Sequence, residues 1–186
     1  MNMKTQRTLL ITGILAAAGG TALYVSRKPK YSGIKFKKSI VIDRPASELY
    51  DFWHDFENLP RITDVLESVE VLDVTRSRWT IAALGDIPVS WEADITRDIR
   101  NEMIAWRSLE GSSIETAGYV RFEPAPGDRG TLVRVALEYS LPAGKVGAAV
   151  ATLFGKRPGA HVEEMLRRFK QLMETGEIAV ADRNAS

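Results

Sequence analysis

The sequence has no cysteine and only two histidines, His54 and His161. The lack of cysteine excludes disulfides, thiolate zinc sites and cysteine nucleophiles. Two histidines far apart in the chain are too few for a metal centre, so we expect no metal. Phosphate-binding loops, serine hydrolase elbows and zinc protease motifs are also missing. We therefore assign no catalytic residue and no cofactor.

His54 has acidic neighbours in the sequence, Asp51, Asp55 and Glu57. Such a pairing can serve acid–base catalysis. On a helix, however, His54 follows the apolar Trp53 by one position and should point sideways or outward. We expect it, and the other histidine likewise, to lie at the surface.

Acidic residues are absent before Asp43, whereas eight basic residues fall in that segment. Over the whole chain, 25 Lys and Arg residues balance 24 Asp and Glu residues, which argues against a nucleic acid partner. Residues 8–26 carry no charge and would form about 28 Å of helix, close to the thickness of a bilayer core. We therefore predict an N-terminal transmembrane helix that binds the membrane through residues 8–26.

Two alternatives to this anchor stay open. A cleaved signal peptide fits Ala16-Ala17-Ala18, although the apolar residues continue to Val25. A buried core helix fits the uniform apolarity and the basic flanks less well. Two basic residues precede the segment and six follow it, which favours the cytoplasm for its C-terminal side.

From Ile34 onward the apolar residues alternate with a period of two, which is typical of strands. The clearest run is Val89–Arg97, and an amphipathic helix over Ala46–Phe56 and a short helical piece over Leu59–Val65 come earlier. The predicted strands are Ile34–Ile42, Ser68–Val74, Arg78–Leu84, Val89–Arg97, Met103–Leu109, Glu115–Phe122 and Thr131–Ser140. Successive hairpins with separate helices indicate an α+β fold.

A last long element over Leu141–Thr175 has the three-and-four spacing of an amphipathic helix. Pro158 and Gly159 interrupt the pattern and predict a kink or a brief break. Its first half is rich in small apolar residues, which either pack closely or leave room for a ligand. We expect this helix to lie across the sheet.

This order of elements resembles the helix-grip fold of the START-like (SRPBCC) superfamily. More specifically, the chain resembles the bacterial polyketide cyclase/dehydrase and coenzyme-Q-binding START branch, and its membrane-anchored members. The segments that carry the resemblance are IVIDRPASELYDFWHDFENLPRI (40–62), MIAWRSLEG (103–111), GYVRFEP (118–124) and TLVRVALEY (131–139). The resemblance implies a curved antiparallel sheet of about seven strands, wrapped around the C-terminal helix and enclosing an apolar cavity.

Strand parity and helix faces predict the residues that line this cavity. A packed core is the simpler interpretation of any one of them, but several indole and hydroxyl groups on one concave face are typical of a ligand pocket. Ser108 and Tyr139 are the expected orienting groups. The predicted lining residues are Trp53, Phe56, Ile81, Trp91, Trp106, Ser108, Val120, Phe122, Val135, Tyr139, Val150, Phe154 and Met165.

We thus predict an anchor and basic linker (1–33), a START-like domain (34–176) and a disordered tail (177–186). The expected function is binding of an apolar small molecule, such as a lipid, an isoprenoid or a quinone, at the cytoplasmic face of a bacterial inner membrane. One alternative is a cyclase or dehydrase in which Tyr139 or His54 moves protons. Another is an interaction module whose groove takes a partner helix. The sequence indicates no particular protein partner.

Overall fold

The computed structural model describes residues 34–82, 88–140, 144, 147–148, 150–151 and 159–178. Seven strands form one antiparallel, curved sheet, as predicted. They are β1 (Ile34–Ile42), β2 (Leu66–Val71), β3 (Arg76–Ala82), β4 (Pro88–Ile99), β5 (Met103–Ser108), β6 (Glu115–Pro124) and β7 (Thr131–Ser140).

The strands β2 to β7 lie side by side in chain order, and β1 is paired with β7. Ile34 lies opposite Tyr139 and Ile42 lies opposite Thr131, so the first strand closes on the last one over its full length. The alternation read from the sequence follows the two faces of this sheet. In β4, for example, Val89, Trp91 and Ala93 are buried.

Helix α1 (Ala46–His54) follows Pro45, whose fixed backbone suits the start of a helix. Its buried residues are Leu49, Tyr50 and Trp53, and it packs against β5 and β6. The helix ends earlier than the predicted Phe56. The Asp55 side chain accepts a hydrogen bond from the Glu57 N–H and starts a separate 3-10 helix, Phe56–Arg61.

Helix α2 (Ala160–Thr175) begins directly after Gly159, at the predicted interruption. Its buried stripe, Val162, Leu166, Phe169 and Leu172, is the one that the spacing predicts. The helix packs against β1 and ends at Gly176, which has a positive φ of 79°. In the first half of the predicted element, residues 147–148 and 150–151 are helical.

The turn between β2 and β3 differs from the prediction, because β2 ends at Val71 rather than at Val74. Asp73 Oδ1 accepts hydrogen bonds from the backbone N–H groups of Thr75 and Arg76, 2.8 Å each. This Asx-type turn takes the chain out of the sheet. Val74 is left 94% exposed at its tip.

No helix among the described residues is long and apolar enough to cross a membrane. The predicted anchor, residues 8–26, lies outside the described residues, and so does the tail from residue 179. The anchor, the domain boundaries and the disordered tail therefore stay predictions.

Candidate ligand-binding cavity

All four tryptophans of the chain lie in one column of rings. Trp79, Trp91 and Trp106 come from the adjacent strands β3, β4 and β5, and Trp53 comes from α1. The centroid distances are 6.3 Å from Trp53 to Trp106, 6.0 Å from Trp106 to Trp79, and 6.2 Å from Trp79 to Trp91. Neighbouring rings are tilted by no more than 28°.

Gly118 of β6 makes room for this column. A Cβ atom at Gly118 would lie 2.7 Å from Cζ2 and 3.0 Å from Cε2 of Trp106. The Trp106 ring therefore lies over the backbone of the neighbouring strand. On the other side of the column, the edge-to-face contact of Trp53 with Phe169 of α2, at 5.8 Å, joins it to the terminal helix.

A cavity of about 110 Å³ lies beside the column. Its wall is formed by α1, by the 3-10 helix and the loop after it, by strands β2 to β7, by the loop before β6 and by the first turns of α2. The lining residues are Trp53, Leu59, Thr63, Val65, Leu66, Trp79, Ile81, Trp91, Trp106, Ile114, Thr116, Val135, Leu137, Tyr139, His161, Val162 and Met165.

Besides the tryptophans, four of these residues carry polar groups: Thr63, Thr116, Tyr139 and His161. Thr116 of β6 lies opposite Tyr139 of β7, and it precedes Gly118 by two residues on the same strand. Burial raises the pKa of Tyr139, so its hydroxyl stays protonated at neutral pH. Thr116 and Tyr139 thus border the cavity on its β6–β7 side, although the surface that the cavity exposes is almost entirely apolar.

Two indole N–H groups of the wall have no hydrogen-bond partner. They are Nε1 of Trp53 and Nε1 of Trp91, and both atoms are buried. By contrast, Trp79 Nε1 donates to Ser77 Oγ at 2.9 Å. An unpaired buried donor costs about 1–3 kcal/mol, so an acceptor that reached either group would stabilise the protein.

The structure places seven of the thirteen predicted lining residues in this wall: Trp53, Ile81, Trp91, Trp106, Val135, Tyr139 and Met165. Whether they bind a ligand stays a prediction. Phe154 lies outside the described residues. The remaining five are buried, but they are absent from the wall.

Four of these five lie elsewhere in the core, and the fifth is Ser108. Phe56 packs behind the column, 5.3 Å from the Trp79 ring. Phe122 lies under α1, 6.2 Å from the Tyr50 ring, and Val120 precedes it by two residues on the same face of β6. Val150 is fully buried in the core.

Ser108, expected to orient a ligand, instead joins two strands. Its Oγ accepts a hydrogen bond of 2.9 Å from the backbone N–H of Thr116. This bond continues the β5–β6 ladder beyond the last backbone pair, Arg107 with Ala117. Of the two expected orienting groups, only Tyr139 belongs to the wall.

His161 was expected at the surface, but it is half-buried and lines the cavity. It precedes the buried Val162 in the first turn of α2. Thr63, which follows the 3-10 helix, and Thr116, which shares a strand face with Val120, were also missed. The parity of β6 was available in the sequence and could have identified Thr116.

His54 lies outside the cavity wall, with its side chain 48% exposed. Its Nε2 is 3.2 Å from Oδ2 of Asp98, and its ring lies 5.4 Å from that of Tyr50. Among the described residues, no group of three His, Asp or Glu side chains could hold a metal ion. His161 and Tyr139 are the two ionisable residues that the wall contains within the described part of the chain.

An ion pair holds the α2 side of the wall to the loop that carries Thr63 and Val65. Arg168 donates from Nη1 and Nη2 to the two carboxylate oxygens of Asp64, at 2.7 and 2.8 Å. Such a bidentate pair fixes direction as well as distance. It connects α2 to the part of the wall that lies outside the sheet.

Several proteins of known structure share this fold. A protein from Deinococcus radiodurans of known structure is 41% identical, with a TM-score of 0.66, over 77% of this chain and 99% of its own. A START superfamily protein from Mycobacterium smegmatis (18% identity, TM-score 0.57, 74% of this chain and 98% of its own) has the same fold. The ZhuI aromatase/cyclase from Streptomyces sp. R1128 also has this fold, with 15% identity and a TM-score of 0.55 over 79% of this chain and 99% of its own.

No curated protein matches the sequence. A family model described as polyketide cyclase / dehydrase and lipid transport matches residues 42–170, which include α1, most of α2, strands β2 to β7 and all of the cavity's lining residues. The chain therefore belongs to the polyketide cyclase / dehydrase and lipid transport family.

Proposed function

We propose that this protein binds a neutral, apolar small molecule in the cavity beside the tryptophan column. The observation that carries the proposal is the wall itself, which combines apolar side chains with a few hydroxyl groups and contains no Lys, Arg, Asp or Glu among the described residues. Binding is driven by removal of apolar surface from water, about 25 cal/mol per Å². Such a wall accepts an uncharged molecule and rejects an ionic one.

We further propose that residues 8–26 tether the domain to the bacterial inner membrane, with the domain in the cytoplasm. The uncharged stretch and the excess of basic residues after it support this arrangement. Because apolar molecules partition into the bilayer, the tether would keep the cavity close to its source of ligand.

The experiment is to purify the full-length chain and identify co-purifying molecules by mass spectrometry of an apolar extract. The matched variant is Met165→Trp, since Met165 is half-buried on α2 and lines the cavity. We expect the variant to keep its melting temperature and to lose the molecule. A variant that folds normally and still carries the same molecule would place its binding site elsewhere.

A second candidate function is that of a cyclase or dehydrase. The observation in its favour is that an imidazole, His161, and a protonated phenol, Tyr139, belong to the same wall. The two could act as base and acid on a reactive apolar chain. If a synthetic poly-β-ketone thioester is converted by the protein, and His161→Ala abolishes turnover without abolishing binding, this candidate replaces simple binding.

A further inference from the structure

The cavity wall is not equally well covered on all sides. The lining residues that come from β3, β4 and β5 are at most 9% exposed. Thr63 and Val65, on the loop of residues 62–65, are half-buried, and so are His161 and Met165 on the first turns of α2. Solvent therefore approaches the cavity most closely where this loop and this helix border it.

Backbone pairing decides which part of the wall can move. Thr116 and Leu137 are half-buried as well, but their strands, β6 and β7, each pair with a strand on both sides. By contrast, β2 is the last strand of the sheet and pairs with β3 alone, with a shift of register between Leu66 and Ser68. Residues 62–65 precede β2 and lie outside the sheet. A segment with so few backbone hydrogen bonds opens at a lower cost in free energy than the sheet does.

Helix α2 is held firmly at its C-terminal end. Arg44 donates hydrogen bonds to the carbonyl oxygens of Met173 and Glu174, at 2.8 and 2.9 Å. Lys170 Nζ donates to the carbonyl oxygen of Val41 at 2.8 Å. These bonds to backbone atoms fix the helix to β1 and to the residue after it. The border can therefore open by movement of the loop away from the helix.

One ion pair crosses this border. Arg168 of α2 donates to both carboxylate oxygens of Asp64 on the loop. The Arg168 side chain is 24% exposed and that of Asp64 is 63% exposed, so water and salt reach the pair and limit its strength. A second bond, from Arg168 Nε to Glu164 Oε1 at 3.0 Å, lies within the helix. It keeps the guanidinium oriented when the loop moves away.

We infer that residues 62–65 form a flap over the cavity, and that the ion pair between Asp64 and Arg168 is the latch that holds the flap shut. When the pair breaks, Thr63 and Val65 move away from Met165 and a path into the cavity opens. This inference rests on the proposed function, since it assigns the route by which a molecule enters the same cavity. The latch sets how often that route is open.

Quenching of tryptophan fluorescence by acrylamide tests the flap in the full-length protein without any knowledge of the ligand. All four tryptophans line the cavity and none is more than 9% exposed, so this small neutral molecule quenches them after it has entered. We expect Asp64→Asn to raise the quenching rate constant about two- to fivefold, as the loss of an exposed ion pair allows.

The matched control is Asp94→Asn. Asp94 accepts the same kind of bidentate pair from Arg76, at 2.8 and 3.1 Å, but this pair joins β3 to β4 and neither residue lines the cavity. The control should therefore leave the quenching rate constant unchanged, even where it lowers the melting temperature as much as Asp64→Asn does.

A covalent latch gives the converse measurement. The chain has no cysteine, so Asp64→Cys combined with Arg168→Cys introduces two thiols that have no competitor. We expect a bis-methanethiosulfonate linker between them to lower the quenching rate constant below that of the unlinked variant. Cleavage of the linker by dithiothreitol should restore the faster quenching.

Wild-type quenching in Asp64→Asn, or an equal increase in Asp64→Asn and Asp94→Asn, would overturn the latch. If the cross-linked protein is quenched as fast as the unlinked one, the entrance lies elsewhere and the flap is wrong. Either result leaves the proposed binding of an apolar molecule standing, because mass spectrometry of the extract identifies the occupant and is insensitive to its route.

Discussion

The hydroxyl of Tyr50 lies 2.5 Å from Oδ1 of Asp98 and donates a hydrogen bond to it. Tyr50 is a buried residue of α1, and Asp98 lies near the end of β4, so the bond fastens the helix to the sheet. The Arg100 and Asp51 side chains lie at the same edge, 3.9 Å apart. Burial, together with the bond to Asp98, raises the pKa of Tyr50 well above its usual value.

This bond predicts a loss of stability in alkali. Because the folded protein holds the Tyr50 proton more tightly than the unfolded chain, the contribution is complete below about pH 10 and is lost as the pH rises further. At pH 7, Tyr50→Phe should lower the free energy of unfolding by about 1.5 kcal/mol. Urea unfolding at several pH values measures both effects, and an unchanged alkaline slope in Tyr50→Phe would contradict the prediction.

The hydrogen bonds of Glu174 predict a loss of stability in acid. Burial acts to raise the pKa of Glu174, but hydrogen bonds from the Asp43 N–H and Lys170 Nζ, at 2.8 and 2.6 Å, outweigh it and the pKa is lowered. Its contribution is therefore present above about pH 4.5 and is lost as the pH falls below that value. Glu174→Gln should be less stable at pH 7 and should lose less stability between pH 5 and pH 3 than the wild type. Equal acid sensitivity of the two proteins would show that the contact does not couple to the proton.

Gly118→Ala should destabilise the protein by about 1–3 kcal/mol, the usual cost of overpacking. The reason is the 2.7 Å approach of the new Cβ atom to Cζ2 of Trp106. The control is the same change in a Trp106→Leu background, where the ring is absent. We expect the Gly118→Ala cost to fall in that background, as a double-mutant cycle of chemical unfolding can measure. An unchanged cost would assign the effect to the backbone instead.

Val150→Trp and Met165→Trp should separate filled core from free space. Val150 is fully buried and lies outside the cavity wall, so the larger side chain should cost about 1–3 kcal/mol. Met165 borders the cavity, and the same substitution there should leave the melting temperature unchanged or raise it. The sequence alone favoured free space at Val150. Equal melting temperatures for the two variants would contradict the difference between the two positions.

The proposed anchor predicts a topology. An alkaline phosphatase reporter fused after Ser186 should be inactive, because that enzyme requires the periplasm, whereas a fluorescent protein at the same place should be active. Both fusions should sediment with the membrane. Replacement of residues 8–26 by a polar linker should release the protein into the soluble fraction. A reporter that is active only in the periplasm would reverse the proposed orientation.

Strands such as β4, β6 and β7 were predictable because buried and more exposed residues alternate along them, and this parity also limits the registers that neighbouring strands can adopt. The extent of the cavity was not predictable in this way. Val120 and Tyr139 both face inward, but the Val120 end of β6 is covered by α1, whereas Tyr139 borders free space. Parity gives the face of a residue and says nothing about which element covers it. His161 was missed for a related reason, because a polar residue on a helix can still border a cavity.

The pairing of β1 with β7 also governs when this protein can fold. Ile34 and Tyr139 are partners although about 100 residues separate them in the chain. A ribosome that adds about 5–20 residues per second needs roughly 5–20 s to deliver the second after the first. During that interval the apolar faces of the earlier strands are covered neither by β7 nor by α2. Newly made chains should therefore depend on chaperones until the last third of the sequence has emerged.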